Sequence, residues 1–307
     1  MKKILTTLFI AFSATLWAIA QNPIVINPST TRHGPEKGSL VIVGGGKQTD
    51  EIWDKIFELG GGKDAVRIVV VSNASGDTSA NASAKLIEDL RTRIASAERV
   101  SGLNLQSIAD ANNPDKLVEL RKATAVFFVG GRQWHISDIY LNTLAHTEFW
   151  NVLGRGGVIS GSSAGASIQG SFLWRGDTSG YEVLIGDHTQ GLGFLRNSAI
   201  DQHILVRNRH NDLAAFIRIA PQFIGIGIDE STAVVVQGDN VEVIGESYAA
   251  FHSADQENFV FLRKGDKYDL KNHQVVRPQR PPQPVPADNS VPQVQTAKGK
   301  TTKKRIN

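Results

Sequence analysis

The chain has no cysteine among its 307 residues. That absence excludes a disulfide framework and a lipoprotein attachment thiol, and it removes thiolates from any metal site. The core must hold the fold unaided. Histidine occurs eight times but never as a His-x-x-x-His pair, so zinc chemistry has no recognisable ligand set and no metal is expected. The triple glycine at 44–46 lacks the G-x-G-x-x-G spacing, and no acid ends the following strand-like run, so no dinucleotide or other cofactor is expected. Those glycines read instead as a tight strand-to-helix turn at the mouth of a site. From residue 271 onward there are no aromatic side chains, which argues against nucleic acid as a partner despite the basic charge there.

Only one long apolar stretch is present, at the start. Lys2 and Lys3 precede an apolar segment from Ile4 to Trp17, and Ala18-Ile19-Ala20 has the form of a cleavage site before Gln21. Residues 1–20 therefore read as a signal peptide. The stretch is too short and too rich in Thr and Ser to span a bilayer, so stable membrane insertion is not expected. Export to the periplasm or beyond is.

The net charge of +3 is misleading about partners. Residues 271–307 carry eight Lys or Arg against the single acid Asp288, which exceeds the net charge of the whole chain and leaves the body acidic. That segment is rich in Pro, Gln and Lys and reads as a disordered basic tail. The body, residues 21–270, has the length of one large α/β domain. Association into a homodimer is compatible with it.

Within the body, apolar runs alternate with helical patterns, as in a parallel sheet covered by helices. Strands are expected at Leu40–Val43, Arg67–Val71, Ala125–Val129 and Gly157–Ser160. Helical faces fall at Ile52, Trp53, Ile56 and Phe57, at Leu86 to Ile94, after Asn113-Pro114, and from Ile136 to Leu144. A Gly-, Asp- and Thr-rich loop from Arg175 to Gln190 reads as a substrate-facing flap. Shorter strands follow at Ile224–Ile228, Ala233–Val236 and Val241–Ile244, the last two joined by a hairpin turn at Gly238-Asp239-Asn240.

The most informative segment is Gly161-Ser-Ser-Ala-Gly-Ala-Ser167, placed directly after an apolar run. A strand ending in Gly-x-Ser-x-Gly fits a nucleophile elbow, where the strand turns sharply into a helix and exposes the central serine. Ser163 is that serine, and it would sit at a helix N-terminus with free N–H groups beside it. Serine chemistry needs a base. His203, in Asp201-Gln202-His203 before an apolar step, is the favoured histidine over His33, His135, His146, His188, His210, His252 and His273. The base needs a carboxylate. The run Gly225–Ile228 ends in Asp229 and Glu230, and a strand's alternation turns these two to opposite faces, so one of them can meet His203.

Taken together, G-S-S-A-G-A, D-Q-H followed by R-x-R, G-I-G-I-D-E-S-T-A, and Gly-Gly-x-Gln after a central strand resemble the cyanophycinase and dipeptidase E family of serine peptidases. The likeness covers roughly residues 38–260. It implies a flavodoxin-like three-layer sandwich with a mainly parallel central sheet, as in class I glutamine amidotransferases, plus a short antiparallel extension near the C-terminal end of the domain. It also implies a Ser163–His203–Glu230 triad and hydrolysis of β-aspartyl peptide bonds, as in the release of β-aspartyl-arginine from cyanophycin. By position, Gln133, Asp201, Gln202, Arg207 and Arg209 match the substrate pocket, and the backbone N–H groups of Gly131 and Ala164 the oxyanion site. The pattern R-x-R-x-x-R is broken, because Asp212 stands in the place of its last arginine, where a carboxylate would repel an acidic backbone. Arg132 is a second departure. The reading is an exported serine exopeptidase acting on a peptide or β-aspartyl polymer; an isoaspartyl or aspartyl dipeptidase, a small-molecule amidase or esterase, and a non-catalytic binding protein are the alternatives.

Overall fold

The computed structural model describes residues 32–79, 81–256 and 259–276. The expected signal peptide lies outside these residues. Strands run over Ser39–Val43 (β1), Ile68–Val71 (β2), Val100–Leu103 (β3), Ala125–Phe128 (β4), Val158–Ser162 (β5), Gly170–Phe172 (β6) and Leu195–Gln202 (β7). They continue with Ile224–Ile228 (β8), Thr232–Gln237 (β9), Asn240–Gly245 (β10), Tyr248–His252 (β11), Val260–Arg263 (β12), Lys267–Asp269 (β13) and Gln274–Val275 (β14). Helices span Asp50–Leu59 (α1), Ala84–Arg93 (α2), Ile108–Ala111 (α3), Val118–Lys122 (α4), Gln133–Tyr140 (α5), Leu144–Gly154 (α6), Ala164–Ser167 (α7) and Asp212–Ile219 (α8).

The protein is α/β with two mixed sheets. The larger has the order β14-β13-β10-β9-β1-β5-β4-β2-β3, and the smaller β12-β11-β8-β7-β6. In the larger sheet β1, β5, β4, β2 and β3 pair in parallel. The other half, from β9 to β14, is antiparallel. The antiparallel part is thus as extensive as the parallel part rather than a short appendage. The smaller sheet was not foreseen; it joins β6, β7 and β8 in parallel to an antiparallel β11 and β12.

Local chemistry accounts for the main elements. β1 is a run of Leu40-Val41-Ile42-Val43, wholly buried because it is flanked by β5 and β9 and covered on both faces. Thr49 caps α1 by accepting from the Ile52 N–H, with Asp50 and Glu51 in the first turn and Ile52, Trp53, Ile56 and Phe57 on the buried face. The helix expected from Ile136 to Leu144 is two helices. α5 stops at Tyr140, Asn142 takes φ +60°, and Thr143 caps α6. The tail boundary expected at 271 moves as well, since β14 pairs with β13 through Gln274 and Val275; residues 277–307 lie outside the described ones.

Five strand ends meet at one place. β1, β4 and β5 of the larger sheet and β7 and β8 of the smaller deliver Gly44, Val129, Ser163, His203 and Asp229 just past their C-terminal ends. Open α/β sheets bind ligands outside the carboxyl ends of their parallel strands.

Candidate active site

Ser163 follows β5 directly and has φ +56° and ψ −110°, a conformation strained for a side chain with a Cβ. The flanking glycines make the turn feasible. A Cβ on Gly161 would stand 2.4 Å from the Gly165 carbonyl oxygen, and one on Gly165 2.1 Å from that of Phe128. The elbow therefore packs backbone on backbone, and Ala164 opens α7 beside Ser163 with a first-turn N–H that has no partner within the helix.

The Ser163 hydroxyl donates to His203 Nε2 at 2.8 Å, and His203 Nδ1–H donates to Glu230 Oε1 at 2.6 Å. Of the two acids past β8, Glu230 meets the histidine. Asp229 is turned the other way, where its carboxylate accepts from the Leu205 and Val206 N–H groups and from the Ser247 hydroxyl. Asp229 thereby shapes the turn that follows His203. Burial holds the His203 pKa below its ordinary value; the Glu230 hydrogen bond opposes this, and the charges of Arg207 and Arg209 reinforce it.

Three successive carbonyls tie the site together. Val43 O accepts the Ser163 N–H at 3.0 Å, Gly44 O the His203 N–H at 2.9 Å, and Gly45 O the Ser231 N–H at 3.0 Å. The triple glycine allows that approach. A Cβ on Gly45 would fall 2.2 Å from His203 Cε1, and one on Gly46 2.8 Å from Glu230 Cβ.

The pocket residues are sorted by their partners. Arg207 is exposed and Arg209 buried, and both guanidiniums face the ring of Tyr181, with Cζ at 5.8 and 5.4 Å from its centroid. Gln202 accepts from Arg209 Nη1 at 3.2 Å. Asp201, expected to contact substrate, has intramolecular partners in the structure. It is fully buried, accepts from Arg175 Nε and Nη2 at 2.9 and 3.0 Å and from Trp174 Nε1 at 3.0 Å, and so anchors the end of β7. Gln133 is likewise occupied, since its amide donates to the carbonyls of Trp174 and Arg175 at 2.8 and 2.9 Å. Asp212 is not a free charge either; it pairs with Arg175. Its pKa is pushed up to about 6, chiefly by burial, against the pull of Arg175.

Arg175 is the residue that sequence reasoning missed. It has φ +56°, is 2 % exposed, and holds Asp201 of β7, Asp212 of α8 and the Tyr181 carbonyl at once. Its only sequence signal was its position at the start of the 175–190 loop. That loop forms a wall tethered at several points. Arg132 donates to the Asp177 carbonyl, and Ser137 to that of Gln190 at 3.1 Å. His188 bridges Asp138 and Asp187 at 2.8 and 2.7 Å. The tethers from Arg132, Ser137 and Asp138 start on α5 or just before it, close to Gly130-Gly131 in the chain.

An elbow serine, a histidine and a carboxylate in line at the carboxyl ends of parallel strands are the constellation of a serine-type peptidase. The comparisons with known proteins place this one: the model of Peptidase family S51 matches residues 40–244, and the chain belongs to that family. It is 28 % identical over 287 residues to a cyanophycinase from Synechococcus elongatus, covering 84 % of this chain and 88 % of the relative. It is also 28 % identical over 267 residues to a cyanophycinase from Geminocystis herdmanii, covering 78 % of this chain and 96 % of that one. The crystal structure of a peptidase from an acI-B1 Actinobacterium shares the fold, with a TM-score of 0.61 at 24 % identity over 77 % of this chain and 98 % of that one.

Proposed function

We propose that the protein is an exported exopeptidase that cleaves β-aspartyl peptide bonds, cyanophycin among its substrates, with Ser163 as nucleophile. The observation that carries this reading is the line Ser163 Oγ to His203 Nε2 at 2.8 Å and His203 Nδ1 to Glu230 at 2.6 Å. In the first half-reaction Ser163 Oγ bonds to the amide carbonyl carbon while His203 Nε2 takes its proton. Glu230 holds the imidazole in the right tautomer and stabilises the imidazolium. The oxyanion is met by the N–H groups of Gly131 and Ala164. His203 then gives the proton to the leaving amine, the C–N bond breaks, and an acyl ester remains on Ser163. In the second half, water attacks the ester with His203 again as base, and Ser163 is regenerated.

Arg207 and Arg209 supply the specificity in this reading. A β-linked aspartyl residue carries a free carboxylate near the scissile amide, which a guanidinium binds bidentately. The leader at residues 1–20 supports export, with a mature chain starting at Gln21 in the periplasm or outside the cell. We further read the parallel half of the larger sheet, β3-β2-β4-β5-β1, as a flavodoxin-like layer; the order of its first four strands supports it, with β1 in the fifth place.

The test is to incubate the mature protein with cyanophycin, with isoaspartyl dipeptides and with simple esters, and to weigh the products. Release of β-aspartyl-arginine supports the full reading. Cleavage of dipeptides alone replaces it with a dipeptidase, and cleavage of esters alone, indifferent to Arg207 and Arg209, with an esterase.

A further inference from the structure

Tyr181 lies on the 175–190 wall with 49 % of its surface exposed. An exposed loop tyrosine is ordinarily a solvated ring without a role. Two observations separate this one from that case. Its ring faces two guanidiniums, with Arg207 Cζ at 5.8 Å and Arg209 Cζ at 5.4 Å. Its carbonyl accepts from Arg175 Nη1 at 3.1 Å, and Arg175 is itself clamped on Asp201, two residues before His203. A chain of hydrogen bonds thus ties the Tyr181 backbone to the end of the strand that leads to the histidine receiving the Ser163 proton.

We propose that Tyr181 is a positioning residue that sets specificity: its ring holds Arg207 and Arg209 side by side so that their outer N–H edges receive a substrate carboxylate. This rests on the reading of those arginines given above. Two like charges brought together repel, and the negative face of an aromatic ring offsets that repulsion. Arg207 is exposed and has many rotamers, so a ligand that had to order it would bind more weakly. With the ring in place, that ordering precedes binding. Arg209 is already held by Gln202, so the ring chiefly orders Arg207. The phenol hydroxyl has no part in this arrangement, which a ring without it should preserve.

The test uses the full chain and two fluorophosphonates that react with an activated serine, one with a neutral alkyl arm and one with a carboxylate arm. Inactivation is resolved into KI and kinact for the unmodified protein, Tyr181→Phe and Tyr181→Leu. Tyr181→Leu should raise KI for the anionic probe roughly two- to five-fold, the range of an exposed aromatic–cation contact. Its kinact, and both constants for the neutral probe, should stay as they were, and Tyr181→Phe should match the unmodified protein. A rise shared by both probes, a fall in kinact, or no change in Tyr181→Leu overturns the proposal. So does a Tyr181→Phe that behaves like Tyr181→Leu. If neither probe reacts with the unmodified protein, the peptidase reading falls and this one with it; if both react without regard to charge, only this one falls.

Discussion

Gly45 lies beneath His203 at a distance that leaves no room for a side chain: a Cβ there would sit 2.2 Å from His203 Cε1. The backbone at Gly45 has φ +123°, which a residue other than glycine rarely adopts. Gly45→Ala should therefore push the imidazole off its line to Ser163. A displacement of about 1 Å costs on the order of 100-fold in kcat/KM. The backbone strain adds about 1–3 kcal/mol of lost stability. Steady-state kinetics and a thermal melt would measure the two effects separately.

The pH dependence of activity follows from the burial of His203. The base works only when neutral, and its pKa is held below the ordinary 6.5, first by burial and further by Arg207 and Arg209. The acid limb of kcat/KM should therefore fall below that value. Arg207→Gln removes one of the opposing positive charges, so the limb should move to higher pH. A neutral ester substrate keeps carboxylate binding out of the comparison.

Arg175 carries the heaviest structural role outside the triad. Arg175→Met would remove the bidentate partner of the buried Asp201 carboxylate and leave it with Trp174 and the more distant Arg209, at 4.0 Å; breaking a buried pair costs up to about 3–5 kcal/mol. Asp212→Arg would set a guanidinium against Arg175 and should also destabilise; it should not improve turnover of an acidic polymer. Chemical denaturation of each variant, with activity measured under native conditions, checks both.

Asp212 also gives stability a pH dependence. Its folded-state pKa of about 6 lies above the ordinary 3.8. The folded chain therefore binds this proton more tightly than the unfolded one. That contribution is fully present below 3.8 and is lost as pH rises through about 6. Asp212→Asn should flatten this part of the stability–pH curve, which melts recorded between pH 4 and 7 would show.

The two ends of β13 and β14 make a truncation test. A chain ending at Val276 should melt with the full chain, because the sheet edge Tyr268↔Val275 and Asp269↔Gln274 is kept. A chain ending at Leu270 loses that edge and should melt lower.

What could be read from the sequence follows from how local each signal is. β1, β4 and β8 are buried on both faces, so their apolar runs are unbroken, and the small residues around Ser163 state the elbow within a single pentapeptide. β3 is Val-Ser-Gly-Leu with its middle residues partly or fully exposed, too short and too mixed to stand out. The three glycines at 44–46 read as a turn near the site. Their reason, the approach of His203 and Glu230 from loops far along the chain, is a long-range fact. Arg175 is the extreme case: a lone arginine in a polar loop, whose partners lie 26 and 37 residues away. For the same reason the pairing of Asp201 and Asp212 with Arg175 leaves no local mark in the sequence. β14 is two residues at a sheet edge inside a basic, Pro-rich composition, where no pattern can form.

The central claim is that Ser163 is a nucleophile driven by His203 and Glu230. It is tested most directly by following a β-aspartyl peptide or cyanophycin by mass with the unmodified chain, Ser163→Ala, His203→Ala and Glu230→Gln. The account predicts that Ser163→Ala folds normally, no longer reacts with a fluorophosphonate and has no measurable turnover. His203→Ala should lose nearly as much, because triad members act as a unit, and Glu230→Gln about a thousand-fold or more. Undiminished turnover in a folded Ser163→Ala chain would contradict it.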